Sequence, residues 1–299
     1  MPEILIHEVG PRDGLQMEKQ VVPLEKKLEW IRALMASGLD IVQVGSFVHP
    51  EKVPQMADTD ELFRLLTAGK TSGAVLSGLV LNEKGLERAM RCGVELFCLG
   101  VSASETHSQK NTGMGSEEAQ RRIIATAQEA MKAGKRVQVS VQSAFGCGFE
   151  GRIPEQRVLD IVKAYLDAGL VNISLADTAG HAHPEQVQRL FGEIRQLDSR
   201  MQCTCHFHDT YGLGMANVFA AMVAGVTCFE TSFAGLGGCP FTKTAAGNVA
   251  TEDLVHGLHR TGRRKDIDLG ILVSVAKEVA AFFGRDMQGR VHRAGSLSY

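Results

Sequence analysis

Ala168-Gly169-Leu170-Val171-Asn172-Ile173-Ser174-Leu175-Ala176-Asp177 joins the end of an amphipathic helix to a short β-rich run. Gly169 is the residue type that ends a helix in a left-handed turn. The apolar run after it suits a buried strand, and Asp177 leaves a carboxyl group at the strand's C-terminal end. Similar joints recur at Ser37-Gly38-Leu39, Ala133-Gly134 and Ala224-Gly225-Val226. Working outward, β-rich runs are predicted at 3–9, 40–45, 73–80, 95–101, 136–143, 172–177, 202–208 and 228–234. Apolar residues at helical spacing predict helices over 23–37, 116–133, 154–168, 184–197, 212–224 and 248–261. Strands alternating with helices imply parallel pairing through right-handed crossovers. Eight units predict an α/β fold, a (β/α)8 TIM barrel forming one catalytic domain over 1–299, with an extra C-terminal helix over 267–283. An open doubly wound sheet fits less well. No glycine-rich dinucleotide fingerprint follows the first strand, and the polar residues gather at strand C-terminal ends, which a barrel brings to one face.

Composition narrows the function. The net charge is −2, without a basic tract for nucleic acid or a charged tail. No apolar run approaches the ~18 residues that would span a membrane. Met1-Pro2-Glu3-Ile4 leads straight into a strand-like run, with no sign of a signal or transit peptide. Seven cysteines without framework spacing point to a reducing cytoplasm. Cys203 and Cys205, flanking Thr204 in a strand-like run, are expected to be buried side chains and not zinc ligands.

Four residues at or beyond strand ends form a donor set. Asp13 follows the first strand, and His206 and His208 lie near the end of the seventh. Spaced i, i+2, the two histidines project to one side. Asn248 follows the eighth strand. Two imidazoles, a carboxylate and an amide oxygen suit an octahedral Mg2+ or Mn2+ site with positions left for substrate oxygens. Cys239 sits in Gly235-Leu236-Gly237-Gly238-Cys239-Pro240-Phe241, a loop and not a core run, where a thiol can donate a proton or act as a nucleophile. The fork of Arg12 can pair with a carboxylate or carbonyl. Asp177 and Glu252 are carboxylates placed to orient the histidines and the loop, and Asp177 also counts among the candidate catalytic groups.

These segments resemble the 3-hydroxy-3-methylglutaryl-CoA lyase family. The resemblance rests on Glu8-Val9-Gly10-Pro11-Arg12-Asp13-Gly14-Leu15-Gln16, Ser46-Phe47-Val48, Val53-Pro54-Gln55-Met56-Ala57-Asp58, Ile173 to Thr178, His206 to Gly212, the cysteine-bearing glycine loop and Gly247 to Asp253. It covers essentially the whole chain. The Arg-Asp-Gly element is shared with related metal-dependent barrels, whereas the cysteine loop belongs to the lyase branch. The resemblance implies a metal-dependent oxo-acid lyase that cleaves a 3-hydroxy-3-methylglutaryl-CoA-like thioester to acetyl-CoA and a 3-oxo acid by retro-Claisen chemistry. It further implies that Asp13, His206, His208 and Asn248 hold the metal, which binds the 3-hydroxyl and free carboxylate. Arg12 would stabilise the enolate oxygen and Cys239 would help protonate the enolate carbon. Gln16 would touch substrate, and Glu8 would support the metal-bearing turn.

The chain also departs from the family. Gln43 stands where a Glu is expected, and an amide is not a base. Ser140 stands where a Tyr is expected. Both are expected to touch the acyl group and to change its C3 substituent while leaving the reaction type intact. Lys110 and Asn111, after the fourth strand, are the expected CoA contacts. His49, His181 and His183 are expected to be solvated loop residues. Three rivals remain: a Claisen-condensing enzyme of the same superfamily, an aldolase acting on a free acid, and a catalytically silent homologue that binds acyl-CoA. The sequence leaves a homodimer open.

Overall fold

A computed structural model describes residues 4–238 and 247–297. Its centre is a closed barrel of eight parallel strands in sequence order. These are β1 Leu5–Glu8, β2 Ile41–Ser46, β3 Val75–Leu79, β4 Leu96–Ser102, β5 Arg136–Gln142, β6 Asn172–Asp177, β7 Gln202–Phe207 and β8 Cys228–Thr231. β1 closes the ring by pairing with β8, Leu5 opposite Cys228 and Glu8 opposite Thr231.

The outer helices are α1 Leu24–Ala36, α2 Thr59–Thr67, α3 Glu83–Arg91, α4 Glu105–Thr112, α5 Ser116–Lys132, α6 Glu155–Asp167, α7 Pro184–Leu197, α8 Gly214–Val223 and α9 Thr251–Arg260. α10 Leu269–Phe283 and the short α11 Val291–Ala294 follow the last barrel unit. Each long helix turns one apolar stripe to the barrel: α1 buries Leu28, Ile31, Leu34 and Met35, and α7 buries Val187, Leu190, Phe191 and Ile194. α10 is the expected extra helix, and it packs against α1 and α9. Among the described residues no helix is long and apolar enough to cross a membrane.

Two predicted boundaries shift for a physical reason. The helix expected from 248 begins at Thr251. Asn248 and Ala250 instead form isolated bridges to His208 and Ser232, and Val249 donates its N–H to Phe207 O at 3.1 Å. The helix expected from 212 begins at Gly214, whose N–H is capped by Asp209 Oδ1 at 2.7 Å. The short helices α2, α3 and α4 stand outside the predicted helical stretches.

Cys203, Cys205 and Cys228 are buried, as expected for strand cysteines. Lys27 is buried too, with Nζ donating to Gln55 O at 2.5 Å and to Asp58 Oδ1 at 2.8 Å. Gln55 Nε2 in turn donates to Glu18 O at 2.6 Å. The 53–58 segment therefore fixes the chain that leaves β1.

Glu8 ties the ends of the barrel together. Its Oε1 accepts the N–H groups of Gly10 and Phe233 at 2.7 and 3.0 Å, and its Oε2 bonds the Thr251 hydroxyl at 2.6 Å. Burial pushes its carboxyl up to about 8, against the pull of these hydrogen bonds. The neutral acid is thus the favoured form at pH 7. We expect Glu8→Gln to keep the hydrogen bonds and lose little stability, and Glu8→Ala to cost about 2–4 kcal/mol for orphaned buried donors. The sign of the pH effect follows from the raised value: stabilisation is complete below the ordinary carboxylate range and is lost as pH rises through about 8. Wild type should therefore lose stability relative to Glu8→Gln on raising pH, as denaturant titrations at several pH values will read. Equal pH dependence in the two proteins would contradict this account.

Candidate active site and metal centre

The C-terminal mouth of the barrel holds a cavity of about 210 Å³. Its wall joins Arg12, Asp13 and Gln16, which follow β1, to Gln43 of β2, Ser140 of β5, His206 of β7 and His208 just beyond it. Arg12 and Asp13 lie on one turn of π-helix, Gly10–Gly14, directly after β1. Such turns insert an extra residue and often mark functional positions. The turn aims both side chains into the mouth.

Asp13, His206 and His208 offer ligand atoms that all lie within 4.8 Å of one another. His206 Nε2 is 3.2 Å from His208 Nε2 and 3.8 Å from Asp13 Oδ2. Two ligands about 2.1 Å from one ion, at right angles, stand about 3 Å apart, so the spacing suits a small hard cation. Asn248 Nδ2 donates to Asp13 Oδ2 at 2.8 Å and to Leu236 O at 3.0 Å. Its Oδ1 is buried without a hydrogen-bond partner among the described residues. An orphaned buried oxygen beside two facing imidazole nitrogens and a carboxylate is the condition that an ion would relieve. The residues fit a divalent metal, with Asp13, His206, His208 and Asn248 as its candidate holders. Gly237 makes the approach possible: its φ is +114°, and a Cβ there would collide with the Asn248 amide.

The charges around this set are organised. Burial raises the Asp13 carboxyl, but Arg12, then His206 and His208, outweigh it and hold it well below the usual carboxylate range. Burial lowers His206, but its hydrogen bond to Glu230 and the charge of Asp13 outweigh it, so its pKa stands above the ordinary imidazole value. Arg12 is bound on two sides, Nε donating to Gln43 Oε1 and Nη1 to Asp13 Oδ1. Gln43 therefore acts on the guanidinium as a hydrogen-bond acceptor, a role an amide can fill although it cannot act as a base.

Several expected roles move. Asp177 does not line the cavity. Its carboxylate accepts the N–H groups of His181 at 2.8 Å and Ala182 at 3.1 Å, which makes it an anchor for the loop after β6 and not a group in the mouth. Burial pushes it up to about 6, while those amides pull it down. Glu252 accepts the Ala234 N–H at 3.0 Å and meets His292 at 3.2 Å, so it orients the turn after β8 and neither metal-site histidine. Gln16 faces the cavity, its Oε1 without a partner among the described residues. Asn111 reaches the cavity rim, whereas Lys110 lies outside the lining with Nζ 4.7 Å from the Phe149 ring. His49 and His183 are exposed and His181 is half-buried. Cys239 lies outside the described residues; Gly238, just before it, lines the cavity.

Sequence reasoning missed Glu230. Its Oε2 is 2.9 Å from His206 Nδ1, and its Oε1 is 3.6 Å from His7 Nδ1. His7 Nε2 meets Ser77 Oγ at 2.8 Å, and burial lowers its pKa to about 4. The signal was the inward alternation of β8, but only the register of His206 opposite Glu230 turns it into a partner. A carboxylate on Nδ1 fixes the tautomer that leaves Nε2 free for a metal. Glu230→Ala should weaken Mn2+ binding about 10- to 100-fold by calorimetry. An unchanged Kd would remove Glu230 from the metal's support.

The HMGL-like family model matches residues 3–279. The chain belongs to this family. Hydroxymethylglutaryl-CoA lyase YngG of Bacillus subtilis is 35% identical over 96% of this chain and 96% of its own length. (R)-citramalyl-CoA lyase of Chloroflexus aurantiacus is 35% identical over 99% of this chain and 96% of its own length. An HMG-CoA lyase from Acinetobacter baumannii, solved with coenzyme A and 3-methylmalate, superposes with a TM-score of 0.93 at 37% identity, covering 99% of this chain and 96% of that one. Family membership accords with the barrel and with the donor set at its mouth. The names of these relatives include more than one acyl group.

Proposed function

We propose that this chain is a metal-dependent carbon–carbon lyase that cleaves a 3-hydroxy-dicarboxylate monothioester of coenzyme A to acetyl-CoA and a 3-oxo acid. The observation that carries the reading is the convergence of Asp13, His206 and His208, with Asn248 beside them, next to the cavity-facing Arg12. A divalent ion held there, Mg2+ or Mn2+, would supply positive charge that acidifies a substrate hydroxyl and anchors a carboxylate. Arg12, fixed by Gln43 and Asp13, presents Nη2 to the thioester oxygen. As the bond between C2 and C3 breaks, its electron pair moves onto the departing acyl unit, and the guanidinium stabilises the resulting enolate oxygen. Cys239 would deliver the proton that turns the enolate carbon into the acetyl methyl group. Gln43 does not take the hydroxyl proton, because an amide offers no basic site; that proton passes to solvent water at the cavity mouth as the C3 oxygen becomes the carbonyl of the 3-oxo acid.

Gln43 and Ser140 both face the cavity, so they bear on which acyl group is cleaved. We expect the 3-hydroxy-3-methylglutaryl thioester to be a poorer substrate than a relative with a different C3 substituent. A serine in place of an aromatic wall changes pocket filling, commonly worth about 10- to 200-fold in kcat/KM. The test screens purified protein with Mg2+ or Mn2+ against several 3-hydroxy-dicarboxyl-CoA thioesters, following acetyl-CoA, and repeats the methylglutaryl assay with Gln43→Glu/Ser140→Tyr. No acetyl-CoA from any thioester overturns the lyase reading. Methylglutaryl-CoA as the best substrate, with no gain in the double variant, overturns the specificity reading alone.

A further inference from the structure

We propose that the C-terminal segment 287–294, outside the barrel, clamps both stems of the loop that leaves β8, and that Gln288 and Gly289 are positioning residues for the site. One stem runs from the turn Phe233–Gly235 to the cavity-lining Gly238. The other stem is Gly247 and Asn248, and Asn248 bridges His208. The segment holds each by a direct hydrogen bond. Gly289 N–H donates to Ala234 O at 3.1 Å, and Gln288 Oε1 accepts the Gly247 N–H at 2.6 Å. A third tie is indirect: His292 Nδ1 lies 3.2 Å from Glu252 Oε1, and Glu252 Oε2 accepts the Ala234 N–H at 3.0 Å.

Backbone strain shows why a clamp is needed. Ala234 has φ +58°, a left-handed conformation that is strained for a residue with a Cβ. Such a conformation persists only where its surroundings over-determine it. Both backbone groups of Ala234 are engaged, the N–H by Glu252 and the C=O by Gly289. The contact also requires glycine at 289, because a Cβ there would collide with Glu252 Oε1. The segment is itself anchored: Asp253 Oδ1 accepts the N–H groups of Arg290 and Val291 at 2.9 and 2.7 Å, and Met287, Val291 and His292 are buried. A tail that served packing alone would need the apolar contacts but not the hydrogen bonds to both stems.

The stems bring the consequence to the site. Gly247 is bonded to Asn248, whose amide approaches Asp13, so releasing its N–H loosens one candidate metal holder. The barrel strands are untouched, which separates this effect from a loss of fold. The metal part of the inference rests on the assignment of Asn248 in the proposed function.

The test replaces Gln288 in the full chain. Gln288→Leu keeps the approximate size and removes the acceptor, and Gln288→Glu keeps an acceptor oxygen. Two readouts need no substrate: the Mn2+ dissociation constant by calorimetry, and the alkylation rate of Cys239 by iodoacetamide, followed by peptide mass spectrometry. Gln288→Leu should raise the Mn2+ Kd about 10-fold and change the alkylation rate at least about threefold, with Tm within about 3 °C of wild type. Gln288→Glu should return both readouts to about wild-type values. Wild-type behaviour of Gln288→Leu in both readouts overturns the clamp, as does a Gln288→Glu variant no better than the leucine. If wild type cleaves no thioester, the lyase reading fails while the two readouts still decide the clamp. If wild type binds no Mn2+, the metal assignment fails and the alkylation rates of the three proteins decide it.

Discussion

Chelation should abolish turnover, and added Mg2+ or Mn2+ should restore it. Asp13, His206 and His208 converge on one point, and the buried Asn248 Oδ1 beside them has no protein partner among the described residues. On the proposed lyase reading, without an ion the substrate hydroxyl would keep a pKa far above neutrality and the free carboxylate would lose its anchor. Asp13→Ala and His206→Ala each remove one of four candidate donors and should raise the metal Kd at least about 10-fold. Acidification should act in the same direction. The His206 pKa is held above the ordinary imidazole value by Glu230 and Asp13 despite burial, so protons compete with the metal for its ring. Apparent metal affinity should therefore fall as pH falls through the imidazole range. Calorimetry at several pH values, with activity measured in chelated and reconstituted protein, reads all of these effects. Full turnover by demonstrably metal-free protein would overturn the site.

Arg12→Lys should lower kcat by about 10²- to 10³-fold, the range for losing one preorganised donor to a developing oxyanion. The geometry explains why a conserved charge is not enough. Nε is taken by Gln43 and Nη1 by Asp13, so the guanidinium is held on two sides before substrate arrives. Nη2 has no hydrogen-bond partner among the described protein residues, which leaves it available for the enolate oxygen of the proposed reaction. A lysine ammonium is a flexible point charge and cannot hold both partners while presenting a third donor along a fixed direction. If Arg12 acts chiefly as the enolate forms, KM should change less than kcat. The fold should survive, because Arg12 lies at the cavity wall and not in the apolar core. Steady-state kinetics with a thermal melt will check this. A kcat within about threefold of wild type in a folded variant would show that Arg12 only pairs with Asp13.

Much of this protein was legible in its sequence. Gly38, Gly134, Gly169 and Gly225 adopt the left-handed φ their place after helices predicts, and the strands between the helices close in sequence order. The donors Asp13, His206 and His208 could be chosen because a parallel barrel brings strand C-terminal ends to one face. That rule acts through local periodicity, which a sequence carries directly.

What the sequence could not decide was which carboxylate serves which neighbour. Asp177, Glu8, Glu230 and Glu252 all stand near strand or loop ends, and only strand register and loop path distinguish their partners. Register places Glu230 opposite His206, while the backbone after β6 turns its amides onto Asp177. In the same way, Gln43 reads as a lost carboxylate in the sequence and as an acceptor for Arg12 in the fold. The hydrogen bond from the Gly247 N–H to Gln288 spans 41 residues and joins two irregular segments. No periodicity announces such a contact. It exists only because helices outside the barrel return the C-terminal segment to its mouth, so tertiary structure alone decided it.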